Sequence, residues 1–134
     1  MVALPVVLVV DVANVMGSRP DGWWRDRAGA ATRLMVELAP LAGAEVRSPD
    51  GAALVVSRVL AVIEGQARSA VAPDGVEAVG ATADGDSTVR ALTADLLSSG
   101  DRVLVVTADR GLRASLPDAA LVAGPRWLLD GPSV

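Results

Sequence analysis

The chain has 134 residues, 51% of them hydrophobic, with a formal net charge of -4; it contains no His, Cys, Tyr, Phe or Lys, and all 12 basic residues are arginine. Ser-His-Asp and Cys-His catalysis, Schiff-base lysine chemistry, the lysine-bearing phosphate loop and structural zinc each lack a required residue. What remains for chemistry is Asp, Glu, Asn, Ser, Thr and Arg, rich in the hard oxygen donors that suit magnesium or manganese.

The length suits one domain over 1–134, a single sheet with helices on both faces. Ala, Val and Leu supply most of the hydrophobic residues, so an aliphatic core around a buried parallel sheet is expected. The first apolar run, 5–10, reads as a central strand buried on both faces. It is short, lacks a basic lead-in and ends at Asp11, so neither a signal peptide nor a membrane span is expected, and a cytoplasmic protein is.

A loop over 17–22 follows, then a helix over about 23–39 with Trp24, Ala28, Ala31, Met35 and Leu38 along one apolar stripe. Asp21 is placed to cap it and Pro40 to stop it. The 41–58 stretch has no clean period, apart from a turn at Ser48-Pro49-Asp50-Gly51, and reads as a short helix or arm. Strands are expected at 59–63 and 76–79, joined by a helix-poor connector with a turn at Pro73-Asp74-Gly75.

A second helix over about 87–98 has Asp86 at its N-cap, an apolar side of Val89, Leu92 and Leu96, and Gly100 where a left-handed residue is wanted. A fourth strand at 103–106 leads through Asp109 into a short helix stopped by Pro117. A fifth strand at 120–122 and a closing turn at 127–129 complete the chain. This alternation specifies a doubly wound three-layer α/β/α sandwich with a mostly parallel central sheet.

Asp11, Glu64, Asp86 and Asp109 each sit just past an apolar run. In a parallel sheet the carboxyl ends of the strands share one rim, where open α/β sheets place their ligands. Four acids at one rim repel unless a cation sits among them. Asp86 and Asp109 are equally well explained as helix N-caps, and Asp84 is close enough to exchange roles with Asp86. Arg68, Arg90, Arg110, Arg113 and Arg126 follow or flank the proposed rim, as a local basic collar or as solvated surface charge. The negative net charge argues against nonspecific attraction to nucleic acid.

Val9-Val10-Asp11-Val12-Ala13-Asn14-Val15 resembles the opening strand and Asp-x-x-Asn signature of NYN domains, a branch of the PIN-like nuclease superfamily. Val62-Ile63-Glu64-Gly65, Gly85-Asp86-Ser87-Thr88-Val89 and Val106-Thr107-Ala108-Asp109-Arg110-Gly111-Leu112 follow in family order, so the resemblance covers nearly the whole chain. Gly22-Trp23-Trp24-Arg25-Asp26 is similar to a feature of small bacterial members.

The resemblance implies a PIN-like fold and metal-dependent cleavage of RNA phosphodiester bonds at an acidic pocket. On that basis Asp11, Asp86 and Asp109 ligate magnesium or manganese, directly or through water, and Glu64 completes the site or orients water. Asn14 would hold Asp11 or a bound phosphate by its amide, Thr107 would do so by its hydroxyl, and Arg68 and Arg110 would meet the RNA.

Many relatives carry a second acid directly after the position of Asp86, where this chain has Ser87, so an inactive module that binds RNA or a protein partner is the alternative. A phosphoryl-accepting receiver domain needs a lysine, and a haloacid-dehalogenase-type phosphatase needs an Asp where Ala13 stands. Trp23 and Trp24, adjacent on the expected helix, cannot both face its core side. One is open to stacking on a base or filling a homodimer interface, with packing against 41–58 as the default.

Overall fold

The computed structural model describes residues 2–133. Its centre is β1 (Leu4–Asp11), hydrogen-bonded in parallel to β3 (Ala53–Ile63) on one side and β5 (Val103–Val106) on the other. β6 (Leu121–Ala123) extends the sheet beyond β5, and β4 (Glu77–Gly80) runs parallel along the rimward half of β3. Among the described strands only β2 (Glu45–Arg47) is antiparallel, pairing with the first residues of β3. Five parallel strands therefore end at the same rim.

Two apolar layers sandwich the sheet. Val6, Leu8 and Val10 of β1 pack with Val12 and Val15 of α1 (Val12–Gly17), Ala31, Leu34, Met35 and Leu38 of α2 (Arg27–Leu38), and Leu128 of α5 (Pro125–Leu129). The alternate residues Val7 and Val9 pack with Val89 and Leu96 of α3 (Gly85–Ser98) and Leu112 of α4 (Arg110–Ser115). Each fully buried Val or Leu contributes roughly 1.5–3 kcal/mol, which explains a strand without a polar residue before Asp11. The architecture is the expected α/β/α sandwich. Among the described residues no helix is long and apolar enough to cross a membrane.

Several local expectations are corrected. The segment after Asp11 is helical: Val12, Val15 and Met16, at i, i+3 and i+4, bury one face of α1. The expected 23–39 helix is broken at Asp26, whose backbone (φ -150, ψ 82) is non-helical and whose carboxylate accepts from Gly29 N at 2.9 Å. Asp26, not Asp21, is thus the cap of α2, and the tryptophans stand outside it in a 3₁₀ turn, Trp23–Arg25. Beyond Leu38 the backbone tightens into another 3₁₀ turn, Ala39–Leu41, containing Pro40.

The 41–58 stretch is neither helix nor arm. It forms the β2–β3 hairpin, closed at Ser48-Pro49-Asp50-Gly51 by Gly51 N donating to Ser48 O at 2.9 Å, with Gly51 at φ 89. It is Trp127, not Trp23 or Trp24, that reaches this stretch by hydrogen bond, its Nε1 donating to Arg47 O at 2.8 Å.

β3 begins at Ala53 and carries a bulge: Val6 pairs with Val56 and Val7 with Arg58, leaving Ser57 as the extra residue, its hydroxyl donating to Val6 O at 3.1 Å. The bulge resets the side-chain phase, so Leu54 and Val56 before it and Val59, Ala61 and Ile63 after it all join the α2-side core.

At α3 the cap is Asp84, which accepts from Ser87 N at 2.7 Å, while Asp86 lies in the first turn. The other end follows expectation: Asp101 N donates to Leu96 O and Gly100 N to Leu97 O, each at 3.0 Å, with Gly100 at φ 90.

Candidate functional site

Asp11 ends the central strand and is 4% exposed. It occupies the position before α1, yet its side chain makes no capping hydrogen bond. Instead Thr107, fully buried just past β5, donates its hydroxyl to Asp11 Oδ2 at 2.9 Å. The same hydroxyl accepts from Asp109 N at 3.1 Å, and Asp109 in turn caps α4 by accepting from Leu112 N at 2.9 Å. The Thr107-x-Asp109 spacing therefore joins the ends of two neighbouring strands to a helix start.

Glu64 follows Ile63 at the end of β3 and accepts through Oε2 from Gly85 N, the first residue of α3. Gly85 leaves room for this approach, because a Cβ there would lie 2.9 Å from Glu64 Oε2. Asp86 follows, half-buried. Glu64, Asp11 and Asp109 thus follow adjacent strands β3, β1 and β5, with Asp86 at the helix start beyond β4.

Burial pushes the Asp11 carboxyl above the ordinary carboxylate range. The Thr107 hydroxyl opposes that push, as does the dipole of the nearby Asn14 backbone N–H without forming a capping bond, and the negative charges of Asp86 and Glu64 add to it. Asp86 is pushed up chiefly by burial, then by Asp109, Asp84 and Glu64, with Arg90 acting against them. Asp11 and Asp86 therefore each feel the negative charge of other acids at the rim, Asp11 that of Asp86 and Glu64, and Asp86 that of Asp109, Asp84 and Glu64.

Their oxygens do not converge. Among the described residues no group of three or more acidic side chains is arranged to hold a metal ion. Asp11, Glu64 and Asp109 each have one oxygen engaged, by Thr107, Gly85 N and Leu112 N respectively. The donor chemistry still suits a hard divalent cation, and magnesium usually retains several waters and needs only one or two carboxylates. Asp11 and Asp86, the pair whose charged forms are disfavoured, are the residues a cation would relieve most.

Asn14, on α1, accepts through Oδ1 from Ala108 N at 2.7 Å, so its amide oxygen fixes the loop after β5 instead of contacting Asp11. Arg113 braces the same loop, Nε donating to Thr107 O at 2.8 Å, a positioning role that its place in the sequence did not reveal. Arg110 is exposed at the start of α4. Arg68 is exposed in the 3₁₀ turn Gly65–Ser69, its Nε 3.7 Å from where a Cβ on Gly80 would stand, beside the end of β4. Arg90 Nη2 donates to Ser87 Oγ at 3.3 Å.

No protein-family model matches the chain, and no curated protein matches it. Among solved structures the chain is similar to Rae1 (YacP) from Bacillus subtilis, with a TM-score of 0.65 and 19% sequence identity over 92% of this chain and 72% of that one. At this identity the likeness is one of fold, a largely parallel sheet flanked by helices, consistent with the PIN-like α/β/α architecture.

Proposed function

We propose that this chain is a magnesium- or manganese-dependent ribonuclease that hydrolyses RNA phosphodiester bonds at the acidic rim. The observation that carries the reading is Asp11: a carboxylate 4% exposed at the end of the central strand, its pKa raised by that burial and by the charges of Asp86 and Glu64, with no cation among its close partners in the described residues. Burying an acid in this way costs stability, and such perturbed groups concentrate at functional sites.

In this reading Asp11, Asp86 and Asp109 hold the cation, directly or through water. A divalent cation, when bound, activates water for attack and neutralises charge developing on the phosphoryl oxygens. Thr107 fixes the orientation of Asp11 and the height of Asp109. Asn14 and Arg113 hold the Ala108 loop in place. Glu64 orients water from the neighbouring strand end, and the exposed Arg68 and Arg110 meet backbone phosphates on either side. The fold shared with Rae1 supports the superfamily, and the four motifs in family order support the chemistry.

A second reading, a catalytically weak or inactive module that binds RNA or a protein partner, is favoured by the lack of three converging acids among the described residues and by Ser87 beside Asp86. Incubating structured and single-stranded RNAs with the protein in manganese, magnesium or EDTA separates the two. The ribonuclease reading requires metal-dependent cutting that the double change Asp11→Asn, Asp109→Asn abolishes. Binding without turnover supports the module.

A further inference from the structure

A cleft of about 420 Å3 opens beside Glu64, between the start of α1, the Trp23–Arg25 turn and the loop before α3. Its walls include Trp23, Arg27, Glu64 and Asp84, together with the small residues Ala13 and Gly65. Trp23 is half-buried and packs against the α2-side core, and Trp24 meets it edge-on at 5.9 Å and 89°. The Arg27 guanidinium carbon lies 5.4 Å from the Trp23 ring centroid.

These walls select a class of ligand. A fixed indole and a guanidinium offer flat, polarisable surface to another planar ring. Glu64 and Asp84 disfavour an anion in the same space but accept N–H groups, so a phosphate is excluded where a neutral heteroaromatic with amino or imino donors is favoured. The cleft shares Glu64 with the acidic rim, so its occupant is a neighbour of whatever lies among the carboxylates. From this combination we propose that the cleft is a nucleobase subsite, taking one unpaired base of single-stranded RNA next to the phosphate at the rim. The proposal rests on the ribonuclease reading for the identity of the chain it holds. A paired base cannot enter without leaving its stack, so the subsite selects single strands.

The test is a cycle in the Asp11→Asn background, so that no cutting intervenes, using fluorescent uridine hexamers that are intact or abasic at one position. Binding is read by anisotropy. In the Asp11→Asn protein one abasic position should weaken binding about 5- to 150-fold, the range for one stacked base. Adding Trp23→Ala should weaken the intact hexamer by a similar factor and make the abasic change cost nothing further. Arg27→Gln, on an exposed side chain, should weaken the intact hexamer about 2- to 5-fold and serves even where Trp23→Ala does not fold.

Equal abasic penalties with and without Trp23, no penalty at any position, or no binding would overturn the subsite. Metal-dependent RNA cutting by the unaltered chain without coupling overturns the subsite alone. Coupling in a chain that cuts no RNA supports the subsite and overturns the ribonuclease reading.

Discussion

The Thr107 hydroxyl donates to Asp11 Oδ2 at 2.9 Å, across 96 positions of sequence, and by accepting from Asp109 N it makes the ends of β1 and β5 one unit. Both partners of this bond are buried, so its loss cannot be repaired by bulk water.

Thr107→Val keeps the shape and removes both bonds, leaving a buried carboxylate oxygen unpartnered. It should destabilise the chain by about 1–3 kcal/mol in urea unfolding, while Thr107→Ser retains most of the stability. Equal stability of the valine and serine variants would show that the hydroxyl carries none of it.

Asp11→Asn should behave in the opposite sense. A carboxyl whose pKa is raised in the folded state binds more protons there than when unfolded, so stability falls as pH rises from the ordinary carboxylate value through the raised one and stays lowered above it. Asparagine can still accept from Thr107 without the charge. In EDTA at pH 7 the variant should be more stable by about 0.5–2 kcal/mol, and the gain should disappear at pH 3. A variant less stable than wild type at pH 7 would overturn the account of Asp11.

Asp84 and Asp86 should separate cleanly. Ser87 holds the Asp84 carboxyl below the usual range by its backbone N–H and its hydroxyl, so the cap contributes stability above that range that is lost as pH falls through the lowered value. Asp84→Ala should lower the thermal midpoint at pH 7 and reduce metal-dependent RNA cutting without abolishing it. Asp86→Asn should leave stability unchanged or raised and remove the cutting. Circular dichroism melts beside the cleavage assay read both effects.

Gly85→Ala tests the placement of Glu64. The new methyl would meet Glu64 Oε2 at 2.9 Å, the mobile end of a side chain, so the carboxylate swings away and the fold tolerates the change. Unfolding should shift by about 1–2 kcal/mol, because Gly85 N loses its acceptor, while cutting falls at least tenfold. Unchanged cutting would remove Glu64 from the chemistry.

The rim was legible because strands buried on both faces admit no polar residue until they end, so the acid after each run marks its own position. Asp11 and Asp109 could be placed in this way. Asp84 and Asp86 could not be told apart as caps, because both are good N-cap residues two positions apart at the same helix start. The α1 helix was hidden by its six residues, too few to display a period. Trp24 fell in phase with the α2 stripe by accident, and only the capping geometry of Asp26 excludes it. Ser57 and Arg58 interrupt the apolar run of β3 where the bulge lies, so half the strand had no visible period.

That bulge makes β3 a strand of mixed parity. Residues of even number face the α2 side before Ser57, and residues of odd number face it afterwards. Deleting Ser57 would force one half to turn over, either expelling Leu54 and Val56 from the core or rotating Val59, Ala61 and Ile63 outward, and Glu64 with them. The place of Glu64 is thus counted from its pairing with β1, where Asp11 opposes Val62, and not from the hairpin. An insertion at the Asp50-Gly51 tip can lengthen that hairpin without moving a rim carboxylate, so the two ends of one strand are free to vary independently.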